Sequence, residues 1–221
     1  MYNELLFFFH LLLVVGFVLI AFRLGKEALT VWIALQAVLA NFFVLKQMLL
    51  FGYNVTCSDV FAIGSIASLN LLQEHFGKES ARKAIWISFF AMVFFAVMSQ
   101  VHLYYLPSPS DHAHPSFASL LTAAPRLLLA SLFSFFMIQQ LDLHLFSLLK
   151  RLFPKSRLGS RGAISLIITQ FLDTLLFTFL GLYGLGFAVG DILLVSFLLK
   201  LLIIALTLPL NFFVRKIAHE V

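Results

Sequence analysis

Charge is what this chain has least of. Only 11% of its 221 residues are Asp, Glu, Lys or Arg, against 62% hydrophobic, whereas a soluble domain is about a quarter charged and near half apolar. A soluble globule and a disordered chain are both excluded. There is one cysteine, Cys57, so no internal disulfide can form and the redox compartment is left open. No phosphate-cradling glycine loop and no nucleophile elbow is present, and no nucleophile, base and metal set converges, so an enzyme is not expected. The histidines are scattered. Only His112 and His114 stand close together, with Asp111, in a Pro- and Ser-containing connection, and neither a metal site nor any other cofactor is expected. The net charge of +5 comes without the aromatic and basic interleaving of a nucleic-acid surface, so no nucleic-acid partner is expected.

What is present is a series of apolar runs long enough to cross the roughly 30 Å of hydrocarbon in a bilayer. They predict an all-α, polytopic transmembrane bundle with spans near 5–23, 28–51, 58–76, 84–105, 118–149, 162–182 and 190–213. The first run has Glu4 and no basic residue before it, and lacks a clear cleavage site, so it reads as a retained helix rather than a signal peptide. The third, FAIGSIASLNLLQEHF, holds several small and polar residues, which suits a short or broken helix surrounded by protein. The fifth is too long to stand upright. It either tilts, extends as an amphipathic helix, or begins at Pro125 after an outer segment. LPSPSDHAHP at 106–115 and FPKSRLGSRG at 153–162 read as exposed connections.

Alternate connections carry the positive charge. Arg23 and Lys26, then Lys78, Arg82 and Lys83, then Lys150, Arg151, Lys155, Arg157 and Arg161, then Arg215 and Lys216 make up 12 of the 15 basic residues. That places the N-terminus outside and the C-terminus in the cytoplasm of a membrane whose lipid is the chain's main surroundings. The remaining three fall inside predicted spans. Lys46 is near enough to an end to snorkel. Arg126 and Lys200 are deeper, and Lys200 cannot face lipid cheaply.

Acids stand in or near the same spans. Asp59 and Asp191 read as helix-start residues meeting free backbone amides. Asn70 and Glu74 lie four apart on one face, where they either tether a short span or line a cavity. In the fifth span Phe135, Gln139, Asp142 and Phe146 form one stripe of rings and hydrogen-bonding groups, and in the sixth Gln170, Asp173, Thr174 and Phe177 repeat that chemistry. A proton relay, an interhelical ion pair, a polar substrate pocket and a packed structural network can all use such residues. Arg126 and Lys200 can offset Asp142 and Asp173, with Lys200 expected to approach Asp173 because both lie near mid-depth on adjacent helices.

Four elements, NLLQEHFG, PRLLLASLFSFFMIQQLDLHLF, ITQFLDTLLF and SFLLKLLIIALTLP, occur in an order that resembles the queuosine precursor transporter family, also called the vitamin uptake transporter family. The resemblance covers about residues 28–214. It implies a six-span core at 28–221, with residues 1–27 as an additional N-terminal span and loop, and a bacterial inner-membrane importer of deazapurines such as 7-cyano-7-deazaguanine or queuine, working by alternating access. By position it assigns Asn41, Glu74, Arg126, Gln139, Asp142, Asp173, Thr174 and Lys200 to the functional set. Asn70 stands where an acid is common in the family and Gln170 where asparagine is common. A guanine-like edge offers a ring N–H and an amine to a carboxylate, an amide side chain serves its carbonyl, and phenyl rings stack on the flat heterocycle. The implied substrate site is therefore Asn41, Glu74, Gln139, Asp142, Gln170, Asp173 and Thr174 with Phe135 and Phe177 as walls, supported by Arg126 and Lys200. No ATP site is visible. Two other readings stay open: a substrate-binding subunit energised by a separate ATPase, and a structural membrane protein whose polar groups lock helices together. The oligomeric state is open as well.

Overall fold

The computed structural model describes residues 2–43, 46–56, 58–121, 125–154, 158–183 and 189–207. Cys57, Lys155, Arg157, Arg215 and Lys216 lie outside the described residues, as do the side chains of Arg126 and Asp191. The helices are α1 (Tyr2–Arg23), α2 (Lys26–Phe43), α3 (Ser58–Phe76), α4 (Lys78–Tyr104), α5 (His114–Leu121), α6 (Pro125–Leu152), α7 (Leu158–Phe177) and α8 (Val189–Thr207). The protein is an all-α polytopic bundle, and at least one helix lies within each predicted span. Among the described residues, four helices are long and apolar enough to cross a bilayer by length and composition. α2 turns Val31 and Leu35 outward, while α3, with twelve of its 19 residues buried, runs through the interior of the bundle.

Helix α6 shows why the bundle reverses the soluble pattern. Leu129, Phe133, Met137 and Leu141, four residues apart, are exposed, while Ser134, Gln139 and Asp142 on the other side are buried. Large apolar side chains face outward, where hydrocarbon solvates them, and polar ones face inward, where other helices can satisfy them. On α1 the spacing of Phe7, Leu11, Val14 and Val18 turns one stripe inward against Ile33, Ile63 and Ile66 of α2 and α3. α3 runs through the middle, touching α1, α2, α4, α6, α7 and α8. Gly64 permits this, because a Cβ there would fall 2.2 Å from Gln36 Oε1 and 2.9 Å from Val14 Cγ1. α3 passes into α4 through Gly77 alone, at φ +89°, a value that glycine adopts without strain.

Three segments depart from the expectation for the spans. The run predicted as a helix to residue 51 stops at Phe43. Residues 47–56 form an antiparallel hairpin instead, β1 (Gln47–Leu50) paired with β2 (Tyr53–Thr56) around Phe51 and Gly52. Both turn residues have positive φ, as a two-residue hairpin turn with the native strand twist requires. An apolar run reads equally as strand or helix, and the Phe-Gly turn decides between them. The hairpin is tied to the start of α1, where Asn3 Nδ2 donates to the Leu49 carbonyl at 2.8 Å and the Phe51 N–H donates to Glu4 Oε1 at 3.2 Å. Lys46 consequently lies outside any helix and is exposed. The long fifth span is two helices. α5 is capped by Asp111, whose Oδ1 accepts from the backbone N–H groups of Ala113 and His114, and α6 opens on Pro125, whose missing N–H costs nothing in a first turn. The last turn after α7, Thr178–Leu182, widens into a π-type helix, with the Tyr183 N–H donating to the Thr178 carbonyl five residues back.

Candidate functional site

Polar groups are stacked inside the bundle at three levels along α3 and α7. The lowest is at the end where the basic connections gather. Glu74 of α3 receives Lys150 Nζ of α6 at 2.9 Å and Arg161 Nη2 of α7 at 2.9 Å. Arg161 is itself buried and also reaches the Phe153 carbonyl. One carboxylate thus joins three helices, so of the two expected roles for Glu74 the geometry takes up the tether.

The highest level joins α3, α7 and α8. Lys200 Nζ is 2.7 Å from Asp173 Oδ2 and 3.8 Å from Asp59 Oδ1, with side-chain exposures of 5%, 22% and 13% respectively. The expected approach of Lys200 to Asp173 is present. Asp59 sits in the first turn of α3 as expected, but it also points at Lys200, so one cation is shared between two acids. Asp173 is the most accessible of the three.

Between these levels lies a group of neutral side chains around Asp142. Ser165 Oγ of α7 donates to Asp142 Oδ1 at 2.5 Å. Asn70 of α3 and Thr169 of α7 face the same carboxylate, while Thr169 donates its hydroxyl to the Ser165 carbonyl. One turn along α6, Gln139 Nε2 donates to Ser65 Oγ at 3.2 Å. Gln170, next along α7, is 1% exposed. Among the described residues, Asn70 Nδ2 and Oδ1, Gln139 Oε1, Asp142 Oδ2 and both amide atoms of Gln170 are buried without a hydrogen-bond partner. Leaving one such atom unpaired costs about 1–3 kcal/mol, so these groups call for a polar partner that the side chains around them do not supply.

The remaining candidates are placed differently. Thr174 spends its hydroxyl on the Gln170 carbonyl at 2.8 Å. Asn41 lies toward the far end of α2, bonded to the Ala37 carbonyl and accepting the Ser131 hydroxyl, so it fastens α2 to α6 away from the Asp142 level. Phe135 and Phe177 are half-buried, one turn from Gln139 and Asp173. Sequence reasoning missed Arg161 and Asp59 as charge partners, and passed over Ser165 and Gln36. Gln36 is fully buried, with Nε2 3.5 Å from Ser68 Oγ. The available signal was depth: Glu74 needs a cation at the basic end, and an amide within an apolar span must face protein.

Apolar helices enclosing a lysine, acids and amides at mid-bundle are the construction of a membrane transporter. The family model described as "Putative vitamin uptake transporter" matches residues 56–214, and the chain belongs to that family. It is 30% identical to a protein of Bacillus subtilis (strain 168) named "Probable queuosine precursor transporter", over 98% of this chain and 96% of that one. No solved structure is significantly similar to it.

Proposed function

We propose that this protein imports a queuosine precursor, a flat 7-deazaguanine-type base such as 7-cyano-7-deazaguanine or queuine, by alternating access across a bacterial inner membrane. The observation that carries the reading is the set of orphaned amide and carboxylate atoms on Asn70, Gln139, Asp142 and Gln170. Their donors and acceptors complement the ring N–H, amine and carbonyl of such a base. Asp173, held by Lys200 but still partly accessible, supplies a carboxylate to the amine side, and Phe135 and Phe177 supply aromatic walls. The positive charge of the connections at the lower level supports a cytoplasmic lower level and an outside N-terminus, and in that orientation the substrate meets the Asp173 level before the Asp142 level. The ion-paired levels above and below then bracket the pocket.

Uptake of labelled 7-cyano-7-deazaguanine by liposomes holding the purified protein tests this. The wild type is expected to take it up, and Asp173→Asn, checked for folding and insertion, to lose binding. A wild type that neither binds nor moves any deazapurine base overturns the substrate assignment. An Asp173→Asn variant that transports normally overturns the role of that carboxylate.

A further inference from the structure

Among the described residues, every acid enclosed by the bundle has a cation except one. Glu74 has Lys150 and Arg161, and Asp59 and Asp173 share Lys200. Asp142 is 0% exposed, and the side chains that face it, Ser165, Asn70 and Thr169, are all neutral. The charged side chains described on the elements packed around it are Glu74, Lys150 and Arg161 on one side and Asp59, Asp173 and Lys200 on the other, already engaged with one another, while His75 of α3 and Arg151 of α6 are exposed and the Arg126 side chain lies outside the described residues. His144 of α6 is exposed, and neither residues 28–43 of α2 nor 84–101 of α4 include a titratable side chain.

A lone carboxylate with a single hydroxyl donor is the costliest group to hold in such a place, and a carboxylic acid is far cheaper. The acid form has a further advantage. Asp142 Oδ2 and the amide oxygen of the adjacent Asn70 both lack a partner among the described residues. A proton on Oδ2 makes it a donor, which the amide oxygen of Asn70 accepts in the empty site and the carbonyl of a bound base accepts in the loaded one.

We propose that Asp142 is a proton-binding site and that the proton it carries inward drives uptake. This rests on the transport reading above. With the site open to the outside, the carboxylate takes a proton from water and becomes a neutral acid as the base binds. The occluded bundle then encloses no uncompensated charge. When the site opens to the cytoplasm, water solvates the carboxylate, the proton leaves to water and the base follows. The emptied bundle returns with the carboxylate ionised and solvated by the water that replaces the base, so each cycle moves one proton and one neutral base in the same direction.

The test uses the full-length protein in liposomes containing a pH-sensitive dye, with 7-cyano-7-deazaguanine as the probe. Adding the probe outside is expected to acidify the interior, and an acidic exterior to raise accumulation by about tenfold per pH unit. Substrate that equilibrates with no proton influx and no response to the gradient overturns the proposal and leaves the transport reading standing. No substrate movement at all overturns both. Ser165→Ala then tests the assignment to Asp142, because it removes the hydroxyl that donates to the ionised carboxylate at 2.5 Å. Uptake plotted against external pH is expected to keep its fall toward alkaline pH but with the midpoint about one unit more alkaline, and Ser165→Thr, which retains a hydroxyl, to restore it. A proton-coupled wild type with an unmoved midpoint in Ser165→Ala overturns Asp142 as the carrier.

Discussion

Lys200 reaches Asp173 across the α7–α8 contact at 2.7 Å, and only 5% of its side chain is exposed. A cluster so enclosed is asymmetric in its energetics: removing the lysine alone strands Asp173 and Asp59, while removing Asp173 as well leaves only Asp59 stranded. Lys200→Met should therefore destabilise the protein by about 3–5 kcal/mol, and Lys200→Met combined with Asp173→Asn should be closer to wild type than Lys200→Met alone. Thermal unfolding in detergent measures both. A double variant less stable than the single would mean that a stranded Asp173 charge is not what the loss of Lys200 costs.

At the basic end, the two cations on Glu74 differ in burial, with side-chain exposures of 7% for Arg161 and 46% for Lys150. Arg161→Gln should cost about 3 kcal/mol, whereas Lys150→Ala should cost about 1 kcal/mol or less and become indistinguishable from wild type in high salt. Equal losses would show that burial does not set the strength of this cluster.

Gly64 is a packing requirement at the α1–α2–α3 junction. Its added Cβ would meet the Gln36 amide, which is fully buried and held to Ser68. Gly64→Ala should lower stability by about 1–3 kcal/mol. Shortening Gln36 in the same chain, as Gln36→Ser, should return part of that loss, measured as recovery of the unfolding temperature.

Gln170 separates a binding role from a structural one. Both of its amide atoms are buried and unpartnered, so replacing it with the apolar Gln170→Leu should leave stability unchanged or raise it by about 1–3 kcal/mol. Uptake of the deazapurine should fall by tenfold or more, the size of one lost polar contact to a bound ligand. Stability and uptake lost together would place the amide in a structural network instead.

Much of the scaffold was legible in the chain. The boundaries 58–76 for α3 coincide with the helix found, and Pro125 marks the start of α6, because proline, glycine and periodicity act locally. The hairpin at 47–56 was not legible as such: alternating and continuous apolar runs overlap in meaning, and the pairing of its two halves around Phe51 and Gly52 makes strands of it. In the site, Lys200 and Asp173 were brought together correctly from depth alone. Asp59 was assigned only to its own helix start, and Arg161 only to a polar connection. Both belong to ion pairs that span 141 and 87 positions of sequence.

By itself the sequence determined that the protein lives in lipid, is built mainly of helices, and keeps its basic connections at one end. These follow from transfer free energies and hydrogen-bonding needs that each segment meets alone. Only the tertiary structure decided which acid meets which base, that Asp142 meets none among the described residues, and that Asn70, Gln139 and Gln170 keep amide atoms unpartnered inside the bundle. Those facts depend on how each helix is rotated about its axis and on which neighbour fills the space opposite. That is settled by packing among segments far apart in the chain, such as the close approach at Gly64 that brings α3 into the centre.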